Sequence, residues 1–281
     1  MDVQPSAAEL EEIARVAALN AGAELLARFG VPATTPSDRL AEASVASVLV
    51  HRRPDDGILG RHGICDRPGS SGLRWIVEPL DGAGGYARGL PLWCVALACE
   101  DAAGTVAAVV HDPVRGETFA AARERPATLG GRELDPRPAP ALATATLAVD
   151  VAASTQDEAK RLGKLAKRLY ARVGERRSLG SAALELAWTA AGRFDLCYLE
   201  RRVGSGEVDA GLFLCQRAGL RVHRLAPLHD NGPPRFVIAP AALAGAVLEC
   251  VGPPAKQRRE AALRSGPSPE SVRRALRLQR R

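Results

Sequence analysis

The chain has 281 residues, 46% of them hydrophobic and 25% charged, enough apolar material to bury a large core in one large domain or two small ones. It has no run of 18 or more uninterrupted apolar residues, and its start, MDVQPSAAELEEIARVA, lacks the basic and apolar regions of a signal peptide, so no membrane span is expected and a cytoplasmic protein is. The net charge of +6 gathers in a tail: Lys256 to Arg281 carries nine basic and two acidic residues, net +7, which leaves the body about neutral and without the composition of a nucleic-acid surface.

In chain order, Ser6-x-x-Glu9 is a capping box, and Leu10, Ile13, Ala14, Ala17, Ala21, Leu25 and Leu26 recur at helical spacing up to Gly30. Ala41 to Val50 reads as a second helix, ended by the polar HRRPDDG. GSSG at Gly69 to Gly72 reads as a flexible loop. LRWIVEPL and LPLWCVALACE have strand composition, and GTVAAVVHDPVRGETFAAA reads as two more strands turning at Asp112-Pro113. Proline-rich RELDPRPAPALA then leads into a second unit. Its expected elements are a strand at TLAVDVAA, a helix from the Thr155-x-x-Glu158 box to about Arg172, a helix from Ser181 to about Ala191, a strand at FDLCYLE, a helix from Val208 to Arg217, and a last strand and helix at RFVIAP and AALAGAVLEC. Six scattered cysteines without a CxxC pair read as buried free thiols. The tail after Pro254 has a thin apolar stripe and is expected to be disordered on its own.

The chemistry concentrates in WIVEPLDGAGGYARGLPLWCVAL, Trp75 to Leu97. A strand ending at Glu78, a proline fixing the turn, and Asp81 as N-cap before Gly82-Ala83-Gly84 would aim two carboxylates and several free amides at one point. Carboxylates hold Mg²⁺ and free amides hold phosphate. An acidic strand-to-turn corner with Asp81 merely capping is the competing reading. The five histidines show no metal-ligand spacing, and no nucleophile elbow, Walker loop or dinucleotide fingerprint is present.

This segment resembles the inositol monophosphatase family of Mg²⁺-dependent phosphatases in Trp75-Ile76-Val77-Glu78-Pro79-Leu80-Asp81-Gly82-Ala83, Tyr86 and Gly89-Leu90-Pro91. HDPVRGETFAAA, GSAALELAWTAAGRFD and EVDAGLFLCQRAG are similar to further family motifs, in the same order from about Ser6 to Pro253. The resemblance implies the layered αβαβα sandwich of these phosphatases, usually homodimeric, acting on a phosphorylated polyol or sugar with Mg²⁺. It implies one domain over residues 1–254, in parts of about 1–143 and 144–254, followed by the basic tail 255–281. Nucleic acid or another polyanion is a possible tail partner.

Position by position, the resemblance assigns metal to Glu78, Leu80, Asp81 and Glu207, with Arg61 where the family has a loop glutamate and His62 after it. It assigns catalysis to Asp81, to Ala83 in place of a water-orienting threonine, and to the outer Asp38. Gly82, Ala83, Gly180, Ala182 and Glu200 fall at substrate positions. Two family aspartates are thus glutamates, which move a ligand oxygen outward, and Mg²⁺ tolerates little departure from an octahedron. Arg61 is the grave change, because a guanidinium stays charged, cannot coordinate a cation, and pairs well with carboxylates. The expectations are a weakened or lost phosphatase activity, and the convergence of Glu78, Asp81 and Glu207.

Overall fold

The computed structural model describes residues 5–31, 36–63, 65–135, 138–151, 156–201, 206, 208–227 and 232–252. In chain order the elements are α1 (Ala7–Arg28), α2 (Ser37–Arg52), β1 (Gly57–Gly60), β2 (Arg74–Asp81), α3 (Ala83–Tyr86), β3 (Cys94–Asp101), β4 (Gly104–Asp112), β5 (Glu117–Ala122), β6 (Thr128–Leu129) and β7 (Arg132–Glu133). Then follow β8 (Thr146–Asp150), α4 (Gln156–Tyr170), β9 (Glu175–Arg177), α5 (Ala182–Ala190), β10 (Leu196–Glu200), α6 (Asp209–Arg217), β11 (Arg221–Leu225), β12 (Arg235–Ala239) and α7 (Ala241–Val251). The tail and the Thr155 end of the expected capping box lie outside the described residues.

The first helix starts where its sequence says: Ser6 accepts from the Glu9 amide while the Glu9 carboxylate accepts from the Ser6 amide, a complete capping box. Strands β1 to β7 form one sheet in sequential order, and the second sheet runs β11-β12-β10-β8-β9. The layering follows from which face each strand buries. Trp75, Val77, Val95, Leu97 and Val109 pack under α1 and α2. Ile76, Ala96, Ala98, Val110 and Phe119, on the other face, pack on α5 and α6, whose far side meets Ala148, Cys197, Leu199 and Ile238 of the second sheet. Leu147, Val149, Tyr198 and Val237 then pack under α4 and α7. Strand alternation alone makes each sheet two-sided, so five layers result: helices, sheet, helices, sheet, helices. The expected αβαβα sandwich is the observed architecture.

Three local expectations are corrected. The second helix begins four residues earlier than its apolar pattern, at Ser37, so Asp38 lies in its first turn. The GSSG loop is tied down: the Ser70 and Ser71 amides donate to the Asp55 carbonyl, and the Ser71 hydroxyl donates to Asp56. Third, Asp81 is not an N-cap. It ends β2, while the residue before α3 is Gly82, in the left-handed region at φ 92°. A side chain at Gly82 would also press on the Leu92 carbonyl at 2.6 Å, so only glycine fits this corner. All six cysteines are buried and free, as expected.

Candidate active site

Glu78 and Asp81 are three residues apart, so a regular strand would point them to opposite faces. Strand β2 is irregular between them. Its pairing with β3 slips between Glu78↔Ala96 and Asp81↔Cys94, at Pro79, which has no N–H for the ladder. The slip sends Leu80 into the core under α1 and α2 and frees Asp81 to reach the central helices. Both carboxylates end up buried, Glu78 at 1% and Asp81 at 8% exposure.

Asp81 is held from across the molecule. Its Oδ2 accepts from the Ser181 hydroxyl at 2.8 Å and from the Ala183 amide at 2.7 Å, at the start of α5. That is the work of Ser181 in place of a conventional cap, since its side chain makes no cap bond to its own helix. Two donors converging on one carboxylate oxygen stabilise the ionised form.

Glu78 is held by Arg61. The guanidinium Nη1 lies 2.9 Å from Glu78 Oε2, and the Leu80 amide approaches Oε1 at 3.4 Å. Arg61 follows β1, which runs parallel to β2 with Gly60 opposite Val77, so the loop leaving β1 is delivered to the end of β2. Its side chain remains 42% exposed. Below this loop Glu42, fully buried on α2, accepts from the His62 amide at 2.9 Å and from Cys65 through both its amide and its thiol. Asp66 accepts from the Gly60 amide at 2.6 Å, so Glu42, Cys65 and Asp66 form a cluster with metal-ligating chemistry. Their contacts are those of a staple that shapes the loop. Burial and the Glu42 hydrogen bond push the Cys65 thiol up to about 12, so no thiolate is offered at neutral pH. Asp38 is drawn into the same loop, with its Oδ2 3.1 Å from His62 Nε2.

On the far side, Glu200 ends β10 and is buried, accepting from the Tyr198 hydroxyl. Asp150 at the end of β8 pairs in register with Leu199 and binds Arg201 at 2.6 Å. Between the two sheets sits Glu185 of α5, which no sequence motif had singled out. It is fully buried, its Oε1 takes the Leu179 amide at 2.5 Å, and Oε2 has no hydrogen-bond partner among the described residues. Desolvation first, then the fields of Asp150 and Asp81, raise its carboxyl to about 8. Gly180, at φ 74°, and Ala182, buried at the first position of α5, flank Ser181.

Glu207 lies outside the described residues. Its neighbour Gly206 sits directly against β2, where an added Cβ would be 3.0 Å from that of Glu78, and the Gly206 amide donates to buried Asp209 at the start of α6. Gly206, three residues before the start of α6, therefore meets the strand that carries Glu78 and Asp81. The structure thus brings together Arg61, Glu78, Asp81, Ser181, Ala183 and Gly206. Asp38 is set apart in the staple with His62. For the divalent cations implied by the resemblance, the described residues do not fit a metal at the Arg61 position, because a guanidinium already contacts the carboxylate that would hold it.

A profile of the inositol monophosphatase family matches residues 12–258. Among relatives, the chain is 34% identical over 182 residues to "Nus factor SuhB" of Xylella fastidiosa, covering 65% of each chain. It is also 34% identical over 184 residues to "Inositol-1-monophosphatase" of Rhizobium meliloti, covering 65% of this chain and 68% of that protein. The matches thus span about two thirds of the length of these curated relatives. Among solved structures, SuhB of Mycobacterium tuberculosis superposes with a TM-score of 0.75 at 26% identity, covering 89% of this chain and 99% of that one. The inositol monophosphatase of Anabaena superposes with a TM-score of 0.76 at 25% identity, covering 89% and 98%. With the family profile over most of its length and the family's layers in its fold, the chain belongs to the inositol monophosphatase family.

Proposed function

We propose that the protein is an attenuated phosphomonoesterase: it binds a phosphorylated polyol or sugar at the corner formed by β2, α3 and α5, and hydrolyses it with Mg²⁺ slowly or not at all. One observation carries this reading, the 2.9 Å contact of Arg61 with Glu78. Hydrolysis of a phosphomonoester by water depends on cations that neutralise the developing charge and generate the nucleophile. In this chain a fixed side-chain cation occupies part of that role, and it can neither bind nor activate a water. The methyl of Ala83 stands at the position assigned to a water-orienting hydroxyl, so a second aid to the attacking water is missing.

What this chain's own residues supply is a binding corner. Arg61 is half-exposed above Glu78 and offers donors to a phosphate. Glu200 offers an acceptor to a polyol hydroxyl, and Asp81 is fixed in orientation by Ser181 and Ala183. The relatives named inositol-1-monophosphatase support the substrate class, and those named Nus factor SuhB support a role in which catalysis is not the whole function. Calorimetric titration of inositol 1-phosphate, with and without Mg²⁺, tests the reading. Binding that does not require Mg²⁺ and is lost in Arg61→Ala is expected; binding only in the presence of Mg²⁺ would refute it.

A further inference from the structure

The near-neutral charge of the body conceals a segregation. Residues 160–177 carry eight basic side chains and one acidic one, net +7, more than the whole chain's +6. Outside this segment and the tail, 21 basic residues face 29 acidic ones, net −8. The expectation of an electrically bland body is therefore corrected: the fold holds a basic segment on an otherwise acidic body.

The structure puts that segment on one surface. Leu165 and Leu169 of α4 and Val173 after it are buried against the outer face of the second sheet. The opposite side of the helix exposes Lys160, Lys164, Lys167 and Arg168. Spacings of four residues align Lys160, Lys164 and Arg168 in one row, about one turn apart, and Lys167, three residues after Lys164, lies on the same side. Arg172 continues the row, and Arg176, over the Tyr170 ring, extends it onto β9, the edge strand of the sheet, while Arg177 alternates to the other face. Among the described residues of this segment the one carboxylate is Glu175, paired with Arg177 at 2.6 Å where both are exposed. The sequence of α4 also carries Asp157 and Glu158 in its first turn, ahead of this segment, and neighbouring helix α7 adds Glu249. Soluble surfaces ordinarily intersperse both signs, as α1 does with Glu12–Arg15 and Glu24–Arg28 pairs. The face lies across the second sheet from α5 and α6, so it is separate from the candidate active site.

We infer that the α4–β9 face binds the phosphate backbone of a nucleic acid without reading its sequence. Contacts to phosphate are made chiefly by Lys and Arg and require no apolar anchor. A membrane surface would need an apolar edge to insert, and Leu165 and Leu169 of α4 are spent on the core, while among the described residues the exposed large hydrophobic ones, Leu26, Val31, Val50 and Leu90, lie in the first half of the chain. A protein partner would want buried aromatic or aliphatic hot spots. The one aromatic ring in this segment, Tyr170, is half-buried and covered by the Arg176 guanidinium.

The test is fluorescence anisotropy of labelled single-stranded and duplex oligonucleotides with the full chain, from about 50 to 200 mM salt. It is repeated with Lys164→Gln, Lys167→Gln and Arg172→Gln combined, and with Lys164→Arg plus Lys167→Arg. All three are exposed and none makes a described side-chain bond, so melting should be unchanged, and the tail is present throughout. The Gln variant should bind at least about tenfold more weakly, with its log–log salt slope on single strands flattened by about 2, three contacts at about 0.7 each, while the Arg variant retains binding. No binding at low salt, binding unaltered by the Gln substitutions, or equally tight binding of polyglutamate or anionic vesicles would overturn the inference.

Discussion

Replacing Arg61 by glutamate restores an acidic group beside Glu78 and should restore affinity for a divalent cation. At about 4 Å and an effective dielectric near 20, one unit-charge contact is worth about 4 kcal/mol. Arg61 is 42% exposed, and solvent screening reduces the net value to the order of 1 kcal/mol per contact. The exchange removes a repulsive contact with the cation and adds an attractive one, together about 2 kcal/mol, or roughly 30-fold in Kd. Without metal the variant sets two carboxylates side by side, one of them 1% exposed, so its Tm should fall below that of the unmodified chain. Added Mg²⁺ should then raise it by mass action. Calorimetry and thermal melting over a Mg²⁺ series read both effects, and Arg61→Gln should fall between. If the unmodified chain and Arg61→Glu bind Mg²⁺ equally tightly, the Arg61–Glu78 contact does not govern the site.

Three further outcomes follow from the geometry. Ser181→Ala removes one of the two donors to the buried Asp81 oxygen and should cost about 1.5–3 kcal/mol in denaturant unfolding; a loss below about 0.5 would mean the bond is not made in solution. Gly206→Ala forces a side chain onto φ 88° and against Glu78, and should destabilise by more than 1 kcal/mol, about the cost of an unfavourable backbone alone; an unchanged stability would separate this segment from β2. Glu185, raised from 4.5 to about 8, keeps in the folded state a proton that the unfolded chain releases, so the stability it lends is complete below pH 4.5 and is lost as pH rises towards 8. Glu185→Gln should flatten that decline, and parallel pH–stability curves for the two proteins would contradict the assignment.

Much of this could be read from the sequence where the signal was local. The Ser6 capping box, the alternating apolar strands and the order of the motifs announced the layers. What escaped depended on distant partners or on short polar elements. Asp81 has the form of a helix cap before a glycine cluster, yet its donors lie 100 and 102 residues away, beyond any local rule. The edge strands β9 and β11, ERR and RVHRL, fully bury none of their side chains and so lack the alternation that marks a half-buried strand. Strand β1 is four residues bounded by glycines. Glu185 reads as one more position on an apolar helix, and only its depth between two sheets makes its charge expensive. The basic face was lost by averaging, because an acidic remainder cancels it in any count over the body.

The central claim, that Arg61 has turned a metal-dependent active site into an attenuated one, is met most directly by the steady-state turnover of inositol 1-phosphate by the unmodified protein at saturating Mg²⁺. A rate far below the ordinary enzyme median is expected, raised measurably when Arg61→Glu and Ala83→Thr are combined. A turnover near that median of about 10 per second would contradict it.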